Sequence, residues 1–202
     1  MQERQSRFVV AWATGPLSEA LIEQAVTTTV QRTHQRQLHW FSDGWHGYRG
    51  ILERAYRKRM LTGKRGRPRL VVPQSVTLTQ TVKHRDEHGR MLSVETRAAL
   101  GVLIEPAGTV HVERLNGALR DRLNALTRKT HAFAKRDDTW DALVGLQLFD
   151  HNFHRAHRAL RLPLADGGMR RYHHRSPAMA LGLTDHRWSF LELLTTRVPI
   201  TP

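Results

Sequence analysis

An alternation of element types near the start of the chain most constrains what it can fold into. "RFVVAWATG" (7–15) is a β-branched and aromatic run closed by glycine and followed by proline, which reads as a buried strand. "PLSEALIEQAVTTTVQRT" (16–33) places Leu17, Leu21, Ala25 and Val26 at helical spacing, with Pro16 suited to a helix start. "LHWFSD" (38–43) reads as a second strand and "WHGYRGILERAYRKR" (45–59) as a second helix. Strand, helix, strand, helix at these lengths is a βαβ signature, so the spacing predicts two parallel, neighbouring strands.

Beyond this region the character changes. "RKRMLTGKRGRPRL" (57–70) is a basic linker with seven Lys or Arg, and no acid occurs between Glu53 and Asp86. "SVTLTQTVKH" and "RMLSVETRAAL" alternate Thr and Val around the turn-like "RDEHG", which predicts a β-hairpin over 75–98. Helical patterns follow over roughly 109–127 and 138–160. "RSPAMALGL" and "WSFLELL" predict short helices in the tail, and there is no internal repeat.

Composition narrows the partners. Lys plus Arg (32) exceeds Asp plus Glu (18), a net charge of +14, and nucleic acid is the default polyanion for so basic a chain. The absence of cysteine excludes disulfides, thiolate zinc sites and thiol nucleophiles. "MQERQSRFVV" lacks the apolar core of a signal peptide, and no apolar stretch approaches the ~20 residues needed to span a bilayer. The expectation is a soluble intracellular protein.

Two acids stand out by position. Asp43 closes the second apolar run and opens an aromatic, glycine-rich turn, "FSDGWHGYRG" (41–50). An Asp there can cap the following helix. It can equally sit where ligands of open α/β sheets bind, beyond the carboxyl ends of the strands. Glu113 lies in "HVERLNGALRDRL" (111–123). On a helix, Asn116, Gly117, Arg120 and Asn124 fall within about 60° of it, while Leu115, Leu119, Leu123 and Leu126 cluster away from it. That is either an ordinary solvated polar face or a carboxylate presented beside an amide and a guanidinium. A strand-end acid facing an acid on a packed helix is one way Mg²⁺ is held between carboxylates and substrate phosphates.

"SDGWHGY", "HVERLNGALRDRLNALTRKTHAFAK", "FDHNFHRAHRALR" and "RSPAMALGLTDHRWSFLELL" together resemble the later part of the DDE transposases of bacterial insertion sequences, within the RNase H-like superfamily. The resemblance covers most of the chain from about residue 7, and the VERLN segment is its most specific part. It implies an incomplete RNase H-like mixed sheet flanked by helices over 1–160, with an α-helical extension over 161–202. In that family three acids hold two Mg²⁺ (or Mn²⁺) ions for cleavage and strand transfer of DNA. Carried over, Asp43 and Glu113 become catalytic metal ligands. Asn116 and Arg120 become residues that orient the Glu or touch DNA, and Arg128, Lys129, Arg155 and His157 become DNA contacts. Two metals ~3.5–4 Å apart would activate the attacking oxygen and stabilise the leaving one.

The family's first Asp is missing. Residues 1–42 hold only Glu3, Glu19 and Glu23 as acids, on a terminus expected to fray and on a predicted helix. The chain therefore reads as N-terminally truncated and is expected to be inactive alone. The alternative is a non-catalytic, transposase-derived DNA-binding protein. A basic RNA-associated protein is a third option, which would not need the two acids.

Three further stretches bear on DNA. "GKRGRPRL" resembles the AT-hook, which would set Lys64, Arg65 and Arg67 along a narrow minor groove; a plain basic linker is the simpler reading. His151, His154 and His157 form H-x-x-H-x-x-H, but on a helix three-residue steps drift by about 60° each, which argues against a zinc site; the resemblance instead makes Asn152, Arg155 and His157 a structural or DNA-contacting cluster. The tryptophans and phenylalanines read mainly as core. The implied partners are insertion-sequence ends and target DNA, with self-association as an option and no membrane; the implied location is the bacterial cytoplasm, at the nucleoid.

Overall fold

The computed structural model describes residues 1–34, 36–60, 67–126, 131, 134–165 and 171–196. Lys64, Arg65, Arg128 and Lys129 lie outside the described residues. The chain is mixed α/β and divides into two compact units. One comprises Met1 and residues 11–118; the other comprises residues 2–10 and 119–202. Among the described residues no helix is long and apolar enough to cross a membrane.

The first unit is built on a three-stranded mixed sheet. Helix α1 (Glu19–Arg32) starts where Ser18 accepts the Leu21 N–H, and buries Ala25, Val26, Thr29 and Val30. Strand β1 (His39–Asp43) leads to α2 (Gly47–Tyr56), whose buried Ile51, Leu52 and Tyr56 join Val26 and Val30 in the core. Arg54 on α2 ties the two helices together, reaching Glu19 at 2.8 Å and Glu23 at 2.9 Å. These two acids are thereby taken up in a helix-to-helix clip. Close approach fixes the α2 entry: a Cβ on Gly47 would fall 2.1 Å from the Trp45 ring. A short antiparallel ribbon, β2 (Lys58–Met60) with β3 (Arg69–Val71), carries the described ends of the basic linker. Arg67 is exposed beside it.

Strands β4 (Thr77–Arg85) and β5 (Met91–Leu100) form the predicted antiparallel hairpin. The sheet order is β1-β4-β5, with β1 parallel to β4. Here the structure corrects the βαβ reading. Residues 7–15 form no strand; an isolated bridge pairs Gln2 with Val9, and the Ala11 N–H donates to the Met1 carbonyl at 3.4 Å. The partner of β1 comes from downstream. Val9 and Ala11 are nonetheless buried, so the apolar run signalled burial correctly and strand pairing wrongly.

The reason lies in the second unit. Asn152 accepts the Val9 N–H at 2.8 Å and donates to the Val9 carbonyl at 3.0 Å, so a side-chain amide does the work of a neighbouring strand. The His151 ring nitrogen Nε2 lies 3.0 Å from the Arg7 carbonyl. Phe8 packs edge-on against Phe153, which also contacts Phe149 and Trp188. Glu3 is not frayed: its carboxylate accepts the backbone N–H groups of Gln5 and Ser6 and the Ser6 hydroxyl. Burial alone would raise its pKa, but these hydrogen bonds outweigh it and hold the carboxyl below its usual value.

Helix α3 (Val110–Arg122) matches the VERLN pattern and buries Leu115. The predicted helix over 138–160 is shorter. Helix α4 (Asp137–Phe149) passes into a π-helical turn (Asp150–His154), where the Arg155 N–H donates to the Asp150 carbonyl five residues back. Asp150, His151 and Asn152 are all buried in this turn. Short helices α5 (Pro177–Ala180) and α6 (Phe190–Thr195) occupy the two predicted tail segments.

Candidate functional site

Strand β4 is the spine of the acidic site in the first unit. Side chains alternate along a strand, so Thr77, Thr79, Thr81 and Lys83 leave β4 on one face. The parallel ladder pairs His39 with Thr77, Phe41 with Thr79 and Asp43 with Thr81, setting Asp43 on that face. The Thr79 hydroxyl accepts the Ile104 N–H at 3.1 Å, which anchors the segment leading to α3. Lys83 Nζ then donates to Glu113 Oε1 at 2.6 Å, and the Thr109 hydroxyl donates to the same oxygen at 2.9 Å. The structure thus brings Asp43 and Glu113 to one face of the exposed half of β4. Strand spacings put the Asp43 and Lys83 Cα atoms roughly 8 Å apart.

The backbone behind Asp43 is held from below. Gln80, 2% exposed, leaves the opposite face of β4. Its amide nitrogen donates to the Trp45 carbonyl at 2.7 Å and the Asp43 carbonyl at 2.9 Å, with Ser42 Oγ at 3.3 Å. Its oxygen accepts from Arg97 at 3.1 Å. Asp43 itself is exposed and accepts the Trp45 N–H at 3.3 Å. It does not cap α2, whose N-cap is His46 without a side-chain bond.

Lys83 dominates the electrostatics. Its hydrogen bond, followed by that of Thr109, holds the Glu113 carboxyl below the usual carboxylate range. Tyr48 is pushed up by burial and by the charge of Asp43. As placed, these donors do not fit a pair of hard cations. One carboxylate is already met by an ammonium, and among the described residues no three His, Asp or Glu side chains converge in a ligand group.

Asn116 is exposed in α3, three residues past Glu113, and Arg120 is exposed four residues further on. Arg155 and His157 belong to the second unit. His157 Nε2 faces His151 Nδ1 at 3.4 Å, while Arg155 pairs with the buried Asp150. Sequence reasoning missed Lys83, because strand alternation alone does not say which residue of a distant helix it meets. It also missed Arg122, Arg158 and Arg187, which gather around Arg155 and His157.

His157 makes stability depend on pH. Burial, the facing His151 ring, Arg122 and Arg7 lower its pKa to about 4, against ~6.5 in an unfolded chain. Between those values only the unfolded state takes up the proton. The His157 contribution is therefore intact above pH 6.5 and is lost as the pH falls towards 4. Urea unfolding of the wild type should lose about 2 kcal/mol between pH 7 and 4.5, after allowance for the ring's partial exposure. His157→Asn should flatten that profile; an unaltered profile in the variant would assign the pH dependence elsewhere.

Compared with known proteins, no family model, no curated protein and no solved structure matches the chain.

Proposed function

We propose that the chain is a DNA-binding protein of DDE-transposase type whose acidic pair does not cut DNA by itself. What carries this reading is the convergence of Asp43 and Glu113 on one face of β4, the strand-end and helical acids that the resemblance pairs. The net charge of +14 supplies the attraction to a polyanion. The exposed basic residues Lys58, Arg59 and Arg69 lie in the ribbon that bears the linker, and Arg57 and Arg67 flank it.

The Lys83–Glu113 ion pair favours the non-catalytic form of this reading. An ammonium neutralises the helical acid, so the charge that two Mg²⁺ ions would meet is reduced, and no third acid joins the pair among the described residues. DNA cutting and rejoining belongs on this reading to transposases with all three acids. The roles of Asn116, Arg120 and Arg67 are backbone contacts, which position DNA and do not read its sequence.

The test uses the purified chain with a labelled duplex. Binding should be sub-micromolar at 50 mM salt and weaken steeply towards 200 mM, because released counterions drive it. A supercoiled plasmid with Mg²⁺ or Mn²⁺ should stay uncut. Robust metal-dependent nicking that Asp43→Asn abolishes would overturn the non-catalytic part, and absence of salt-sensitive binding would overturn the whole.

A further inference from the structure

The second unit holds a concentration of positive charge. A cleft of about 460 Å³ is lined by Arg122, His154, Arg155, His157, Arg158 and Arg187, with Ala156. Asp150 is the one acid in ion-pair contact with any of these arginines among the described residues; it binds Arg155 and lies 4.0 Å from Arg122. Four guanidiniums against one carboxylate leave three positive charges in excess. Holding them together costs free energy that an anion would recover.

The cleft is also organised. The π-helical turn buries Asp150, 5% exposed at its side chain, and brings Arg155 back onto it through Nε. An arginine bound through Nε keeps its forked terminal N–H groups for another acceptor, and the Arg155 side chain is 48% exposed. His154 Nδ1 lies 2.8 Å from the Trp188 carbonyl, which makes Nδ1 the donor and leaves Nε2 as the second ring nitrogen. Arg187 precedes Trp188, whose ring packs on Phe149 and Phe153. Arg158 opens a 3₁₀ turn pinned by the His157 N–H to the Arg175 carbonyl. Each charge thus stands on a fixed piece of backbone, and arginine forks match the oxygens of a phosphate.

We propose that this cleft seats a backbone phosphodiester of nucleic acid, gripped by Arg155, Arg158 and Arg187, with Asp150 as the positioning residue that aims Arg155. This deepens the DNA-binding reading by naming where the second unit takes hold. The residues on which it rests are separate from Asp43 and Glu113.

The full chain would be titrated against a fluorescent 20-base-pair duplex by anisotropy across a salt series. Arg158→Ala/Arg187→Ala, both exposed and outside the Asp150 ion pairs, should weaken binding about tenfold at 100 mM salt and reduce the log–log salt slope by about 1. Arg85→Ala/Arg90→Ala, an equal loss of charge on the β4–β5 hairpin, should change binding much less. Equal weakening by the two pairs, or none from the cleft pair while the wild type still binds, overturns the cleft and leaves the DNA-binding reading standing. No binding by the wild type overturns both. Calorimetry with inorganic phosphate separates the sources. Tight phosphate binding that the cleft variant loses, with its DNA affinity unchanged, would reassign the cleft to a free anion and end the proposal.

Discussion

Replacing Asn152 by alanine should destabilise the second unit by about 3 kcal/mol, because two buried backbone groups lose their partners at once. The Val9 N–H and carbonyl are both satisfied by this one amide, at 2.8 and 3.0 Å, and Asn152 is 5% exposed. Neither group has a strand beside it to fall back on, and water has little access. Asn152→Asp is a sharper variant: a carboxylate still accepts the N–H but cannot donate to the carbonyl, and it buries a charge. Urea unfolding followed at Trp188, which belongs to the same aromatic cluster as Phe153, would read the effect. A midpoint within error of the wild type would mean that the amide pairing does not hold residues 2–10 in place.

Gln80→Leu should cost a similar amount, about 3 kcal/mol, in the first unit. Leucine nearly preserves the volume, so cavity terms are small and the loss reports hydrogen bonding. An amide nitrogen has two hydrogens, which go to the Trp45 and Asp43 carbonyls at 2.7 and 2.9 Å. The 3.3 Å approach to Ser42 is the surplus contact. Removing the donors orphans both carbonyls and frees the turn that carries Asp43. Hydrogen exchange over residues 43–48 should accelerate along with the drop in midpoint. If stability falls by less than ~0.5 kcal/mol and exchange is unchanged, the Gln80 bonds do not fix the turn.

These two amides also show where the sequence was legible and where it was not. Local pattern located α1, β1, α2, the β4–β5 hairpin and α3: the helices each bury part of one face, β1 is an apolar run, and the hairpin alternates around its turn. It misplaced 7–15 because a segment buried against a side-chain amide has the same apolar composition as one buried in a sheet. The helix over 138–160 was overextended for a related reason. Phe149, Phe153 and His157 keep nearly helical spacing, yet the π-helical turn ends the helix by satisfying Asp150 from five residues ahead. Asp43 and Glu113 were legible by position and type. Their pairing was implied by the resemblance alone, since their common face depends on β1 pairing with β4, a long-range register that no local pattern encodes. Lys83, and separately Arg122, Arg158 and Arg187, belong to the same class: charged, unremarkable in spacing, and given their neighbours only by the fold.

The docking of residues 2–10 onto the turn at 150–154 sets a timetable for synthesis. Val9 and Asn152 are 143 positions apart. At ordinary elongation rates the ribosome needs about 7–30 s to cross that interval. Meanwhile the stretch 11–118 can collapse on its own core as it emerges. Phe8 and Val9, made well before Asn152, must wait with their apolar surface uncovered. The nascent chain therefore carries a sticky segment at residues 2–10 until residues 150–154 have been made, the interval in which a chaperone that shelters that segment would raise the yield most.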